Sequence, residues 1–319
     1  MTLQDTARKF MTDRKGVLAS DESTVALEAR FDEFQVPNND ETHRAYYQLL
    51  FSTPSIEESL SAVLISEDTL DRSVKGQWGI TELIASKNIL LAVHLDEDNI
   101  RDVVSRIEMF QSYGVVAGKQ RLIVHTHDGT FTDVETDIAK LAMFARRLQE
   151  ASILPIIGVE ITTDGPLSAA EAESVLTIVL GKLHTACEAE HVKWHSVLVE
   201  SSMAGSGAKN EIQALATEVA ERTLRALSTT LTAELGGVLL FSNEESPEIA
   251  TKDLNAIARL EPFHWPIAFC FSRALQDPVL TVWQGNSERI PDAQAVFKQR
   301  LFLNSTADAG GYSEAMESR

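Results

Sequence analysis

Eight short apolar segments rich in β-branched and aromatic residues recur along this chain, and amphipathic stretches fill the intervals between them. The segments are 16–21, 61–66, 89–96, 115–124, 154–161, 196–200, 237–241 and 267–271. Their spacing of roughly 25–45 residues is that of a strand, a loop, a helix and a return loop. Stretches such as 137–151 and 169–186 carry apolar residues at helical spacing. Eight such units make an α/β chain and favour a closed parallel (β/α)8 TIM barrel over an open sheet. No Pro/Gly/Ser-rich linker, low-complexity run or short repeat interrupts the pattern. A single domain over 1–319 is therefore expected, with the barrel at about 16–309 and a frayed tail at 310–319.

A barrel places chemistry at the C-terminal ends of its strands. The charged residues there are Asp21, His94 and Asp96, Lys119 and Arg121, Glu160, Glu200, and Arg273 just after the last strand. Lys119 and Arg121 share a parity, so both can point inward. Each alone reads equally as a rim or capping residue; together they favour a pocket. Asp21 to Thr24 reads also as an acidic N-cap for the helix that follows.

The ordered set of motifs resembles one known family. Gly16-Val-Leu-Ala-Ser-Asp21-Glu-Ser-Thr24 is similar to the GILAADEST signature of class I fructose-bisphosphate aldolases, with Arg30 at the family's spacing. Arg44-Ala-Tyr-Tyr-Gln-Leu-Leu50 resembles its R-x-x-Y-R-x-L-L helix, and Gly118-Lys119-Gln120-Arg121 its A-K-W-R. Glu160 matches the second glutamate of E-P-E-I-L. Leu254 to Ile257, Arg273 to Gln276, Trp283, Ala293-Gln294, Arg300, Asn304-Ser305 and Tyr312 follow in the family's order, so the resemblance spans nearly the whole chain. It implies that Asp21, Lys119 and Glu160 are retained site positions, and that Arg30, Arg121, Ser242 and Arg273 are remnants of substrate and phosphate binding.

The same resemblance locates what is missing. The family's sixth strand reads L-K-P-N-M, and its lysine forms a Schiff base with the ketose; here the segment is Val199-Glu200-Ser201-Ser202-Met203. A carboxylate cannot form an imine. Gly158 stands in place of the acid/base glutamate that opens E-P-E, and His94 replaces the lysine of K-V-D while Asp96 is kept. Asn243-Glu244 replaces the glycine pair that holds a phosphate. The stretch between Asp96 and Arg106 is short for the family's third βα loop, and the chain stops soon after Tyr312, ahead of the family's longer tail.

The expectation is a catalytically inactive homologue that acts as a binding, regulatory or structural subunit. The alternative is an active aldolase or lyase on phosphorylated sugars that uses Lys119, on the fourth strand, as a relocated Schiff-base lysine. Against this, Lys119 can simply pair with Glu200. A third reading, metal chemistry through His125-Thr126-His127-Asp128, lacks a third ligand nearby, and no metal or other cofactor is expected.

Charge narrows the partners. The chain has 28 basic and 47 acidic side chains, a net charge of -19, which repels nucleic acid and anionic membranes. No apolar run approaches the roughly 18 residues of a membrane span. A protein partner or a homo-oligomer, and at most a weak sugar-phosphate ligand, are expected. Two cysteines without a CxxC motif suit a reducing compartment, and the cytoplasm is the default. Asp5 and Asp13 weaken a mitochondrial reading of the faintly basic N-terminus.

Overall fold

Successive residues of a strand face opposite sides, so one run of sequence must satisfy two environments at once. In the computed structural model, which describes residues 2–95, 103–127, 130–242 and 245–318 (backbone only at 103–105, 107, 127 and 130), the apolar segments form the eight strands of one barrel. They are β1 Gly16–Ser20, β2 Leu60–Ser66, β3 Leu90–His94, β4 Val115–Val124, β5 Leu154–Ile161, β6 Leu198–Ser202, β7 Gly237–Phe241 and β8 Ile267–Phe271. Each pairs in parallel with the next, β8 closes on β1, and helices fill the connections: a (β/α)8 TIM barrel.

The two faces of the wall bury different cores. Inward residues such as Val17, Ala62, Ala92, Leu154, Leu198 and Leu239 pack together inside the barrel. Their outward neighbours Leu18, Val63, Val93, Val199 and Leu240 pack against the surrounding helices. The N-terminal helix Leu3–Phe10 is held by a capping box between Thr2 and Asp5, and its Ala7 and Phe10 join the interior cluster. Ser61 donates to the Phe10 carbonyl, and a Cβ on Gly237, at the start of β7, would come within 2.5 Å of Met11. This helix therefore plugs the barrel at the N-terminal ends of the strands and leaves the other mouth open.

Two expectations need correction. The sixth strand was expected at 196–200 but runs from Leu198 to Ser202, because Trp194–Ser196 forms a 3-10 turn ahead of it. The segment expected to fray from Gly310 is docked instead. Tyr312 is 5% exposed, its N–H donates to Asn255 Oδ1, and its hydroxyl donates to Glu317. Glu317 in turn accepts both hydrogen bonds offered by the Nη1 end of the buried Arg300, at 2.7 and 2.9 Å. A buried guanidinium needs an anion beside it, and the tail supplies one. Among the described residues no helix is long and apolar enough to cross a membrane.

Candidate functional site

The parity that fills the barrel with apolar side chains continues into polar ones at its open mouth. There the inward faces present Asp21, Ser66, His94, Lys119, Arg121, Glu160 and Glu200 to a cavity of about 370 Å³. The neighbouring loops add Glu22, Ser23, Ser242, Ser272 and Arg273 to its lining.

Lys119 sits at the centre. Its Nζ lies 2.7 Å from Glu200 Oε2, 2.8 Å from Glu200 Oε1 and 3.1 Å from Asp21 Oδ2, with its side chain 2% exposed. Burial alone would pull the ammonium toward deprotonation, but Asp21 and Glu200 outweigh it and hold the amine above the ordinary lysine range. Burial likewise pushes the Asp21 carboxyl up, and Lys119 and His94 outweigh that and hold it well below the usual carboxylate range. His94 is the Cα partner of Lys119 across β3 and β4, and its Nδ1 lies 3.0 Å from Asp21 Oδ2. Nearer the rim, Arg121 Nη1 pairs with Glu160 at 2.8 Å. The Cys270 thiol, also in the lining, is pushed well above its usual range by burial and by Glu200.

The register joins two substitutions that look independent in the sequence. Gly158 of β5 is flanked by Arg121 of β4 and Glu200 of β6. A Cβ at 158 would lie 2.8 Å from Arg121 Cβ and 3.0 Å from Glu200 Oε2. The Glu200 carboxylate therefore uses the space into which a side chain at 158 would grow.

Of the residues singled out from sequence, Asp21, His94, Lys119, Arg121, Glu160, Glu200, Ser242 and Arg273 converge on the cavity. Arg30 does not. It is 2% exposed and ion-paired with Glu22 and with Asp277, the latter at 2.6 Å, so it braces the wall rather than facing a ligand. The N-cap reading of Asp21 to Thr24 holds only for Ser23, which caps the helix Thr24–Glu33, while Asp21 turns into the barrel. Asp96, Asn243, Glu244 and Asp128 lie outside the described residues, as does the side chain of His127. Among the described residues no cluster of His, Cys, Asp and Glu could hold a metal ion. Cys270 was not singled out, and Glu22 entered only as part of the signature motif; inward parity on the eighth strand was the available signal for Cys270.

The family model "Fructose-bisphosphate aldolase class-I" matches residues 2–319. The chain belongs to the class I fructose-bisphosphate aldolase family. It is 30% identical to fructose-bisphosphate aldolase of Plasmodium falciparum (isolate K1 / Thailand), over 97% of this chain and 91% of the relative. It is also 30% identical to the enzyme of that name from Drosophila melanogaster, over 97% and 91%. A solved structure of Plasmodium falciparum fructose-bisphosphate aldolase, in complex with TRAP and a small-molecule inhibitor, superposes with a TM-score of 0.92 at 29% identity. That match covers 98% of this chain and 95% of the other. Against this family background β6 carries Glu200 and no lysine, and Lys119 is the only lysine lining the cavity among the described residues.

Proposed function

We propose that this family member does not cleave a ketose bisphosphate and serves instead as a binding, regulatory or structural subunit. The observation that carries the reading is the seating of Lys119 between Asp21 and Glu200. Schiff-base formation needs a deprotonated amine with access to a carbonyl. This amine is buried, holds two carboxylates, and is kept protonated by them. The same geometry weighs against a relocated nucleophile at Lys119.

Charge supports the reading. Lys119, Arg121 and Arg273 face Asp21, Glu160 and Glu200 around the cavity, and Glu22 is paired with Arg30, so the described lining is close to neutral where two phosphates would need a positive surround. A sugar phosphate could bind only weakly there. A subunit role fits a family in which the Plasmodium falciparum protein has been seen in complex with TRAP. Two buried free thiols suit a reducing cytoplasm.

The test combines a coupled cleavage assay on fructose 1,6-bisphosphate with borohydride trapping and mass measurement of the intact chain. No turnover and no covalent adduct are expected. Turnover abolished by Lys119→Ala, or an adduct on Lys119, would establish the relocated nucleophile instead.

A further inference from the structure

We propose that the barrel-mouth cavity is a binding site for an unphosphorylated polyhydroxy compound of about hexose size, gripped by its hydroxyl groups. The inference rests on the non-catalytic reading above and adds the chemistry of what is bound.

Three observations carry it. First, the cations of the cavity floor and wall are committed. Lys119 is enclosed by Asp21 and Glu200, and Arg121 is paired with Glu160. A phosphate would have to compete with these carboxylates and sit beside Glu22 as well. Second, the lining mixes acceptors with donors: the Glu160 carboxylate accepts, the Arg121 guanidinium donates, and Ser23, Ser242 and Ser272 do either. A hydroxyl group both donates and accepts, so adjacent hydroxyls on a carbon chain can bridge such pairs without adding charge.

Third, His94 is oriented. Its Nδ1 lies 3.0 Å from Asp21 Oδ2, which holds the ring in place at the wall of the cavity that it lines. A hydroxyl group both donates and accepts, so it can pair with the ring's other nitrogen whichever role that nitrogen takes. The cavity, at about 370 Å³, lies within the range of small-molecule sites.

The experiment is calorimetric titration of the purified full chain, at fixed ionic strength, with D-glucitol, D-fructose and fructose 1,6-bisphosphate. At least one of the two uncharged compounds should bind about tenfold more tightly than the bisphosphate. His94→Phe should weaken that binding by about tenfold, as expected when a site loses its partner for a buried hydroxyl, with an unchanged circular dichroism spectrum. Glu160→Gln releases Arg121 from its counter-ion, so it should shift preference toward the bisphosphate. Bisphosphate binding as tight as either uncharged compound would overturn the proposal. So would no heat from glucitol or fructose at millimolar concentration, or a folded His94→Phe that binds like the parent. A borohydride-trapped adduct in the bisphosphate arm sinks the non-catalytic reading, whereas tight bisphosphate binding without an adduct sinks only this one.

Discussion

At the scale of single residues, one ion triad decides what this barrel can do. Lys119 is not an idle amine in a pocket; it neutralises two carboxylates that the fold has taken out of water. Breaking one side of such a buried pair is costly because the remaining charge is left without compensation. Lys119→Met leaves Asp21 and Glu200 without their shared counter-ion and should therefore lower the free energy of unfolding by about 3 kcal/mol, read from urea unfolding curves. Glu200→Gln leaves Lys119 paired with Asp21 and should lose less. An equal or larger loss from Glu200→Gln would mean that Asp21 alone does not compensate the buried ammonium.

At the scale of elements, β4, β5, β7 and β8 have the bounds that their apolar patterns predict. They were legible because apolar and β-branched residues run to their ends. The sixth strand was misplaced because its last two residues, Ser201-Ser202, look like a loop when taken alone. They are strand because the barrel mouth is lined by polar groups, and Ser202 Oγ accepts from the Ile161 N–H of the neighbouring strand. Such a bond is invisible without the fold. The same holds for the contact between Gly158 and Glu200, which depends on register, and for the docking of Tyr312 onto Asn255. Asp21, Lys119 and Glu160 were legible because they occupy strand ends and match a family motif; Arg30 matched a motif too, but its burial could not be read from spacing.

The junction of β7 with the helix Pro247–Ala258 offers a pH test. Burial pushes the Glu245 carboxyl up to about 9, and Asp253, hydrogen-bonded to it, is also raised by burial. Carboxyls raised above their unfolded values bind more protons in the folded state, so their contribution to stability is lost as pH rises through the folded values. The urea midpoint should fall between neutral pH and about pH 9, and Asp253→Asn should flatten that fall. Asp308 is pushed up to about 8 by burial, with Asp13 and Glu261 adding to it, and acts in the same direction. The comparison between parent and variant, rather than the raw slope, therefore isolates the pair.

At the scale of the whole molecule, activity depends on several parts acting together. Restoring a lysine at 200 alone leaves Gly158, His94 and Asn243-Glu244 in place, and sets the new amine beside Lys119. Without a matched proton donor or a cradle for the phosphates, the substrate is not held at reacting distance. Glu200→Lys should give slow, trappable imine formation and no measurable steady-state cleavage. The combination with Gly158→Glu, His94→Lys, Asn243→Gly and Glu244→Gly should exceed it clearly in kcat/KM. A single variant as fast as an active relative would mean that the pocket had stayed intact around one exchange. The register that sets Gly158 against Glu200 also imposes an order on these substitutions. While Glu200 stands, a glutamate returning to 158 would begin growing 3.0 Å from its oxygen and place a second carboxylate in the same space. A change at 200 must therefore precede a glutamate at 158, and by itself that change is expected to give no measurable turnover. Two adjacent strands thus make the order of these substitutions a matter of backbone register rather than of the chemistry each one restores.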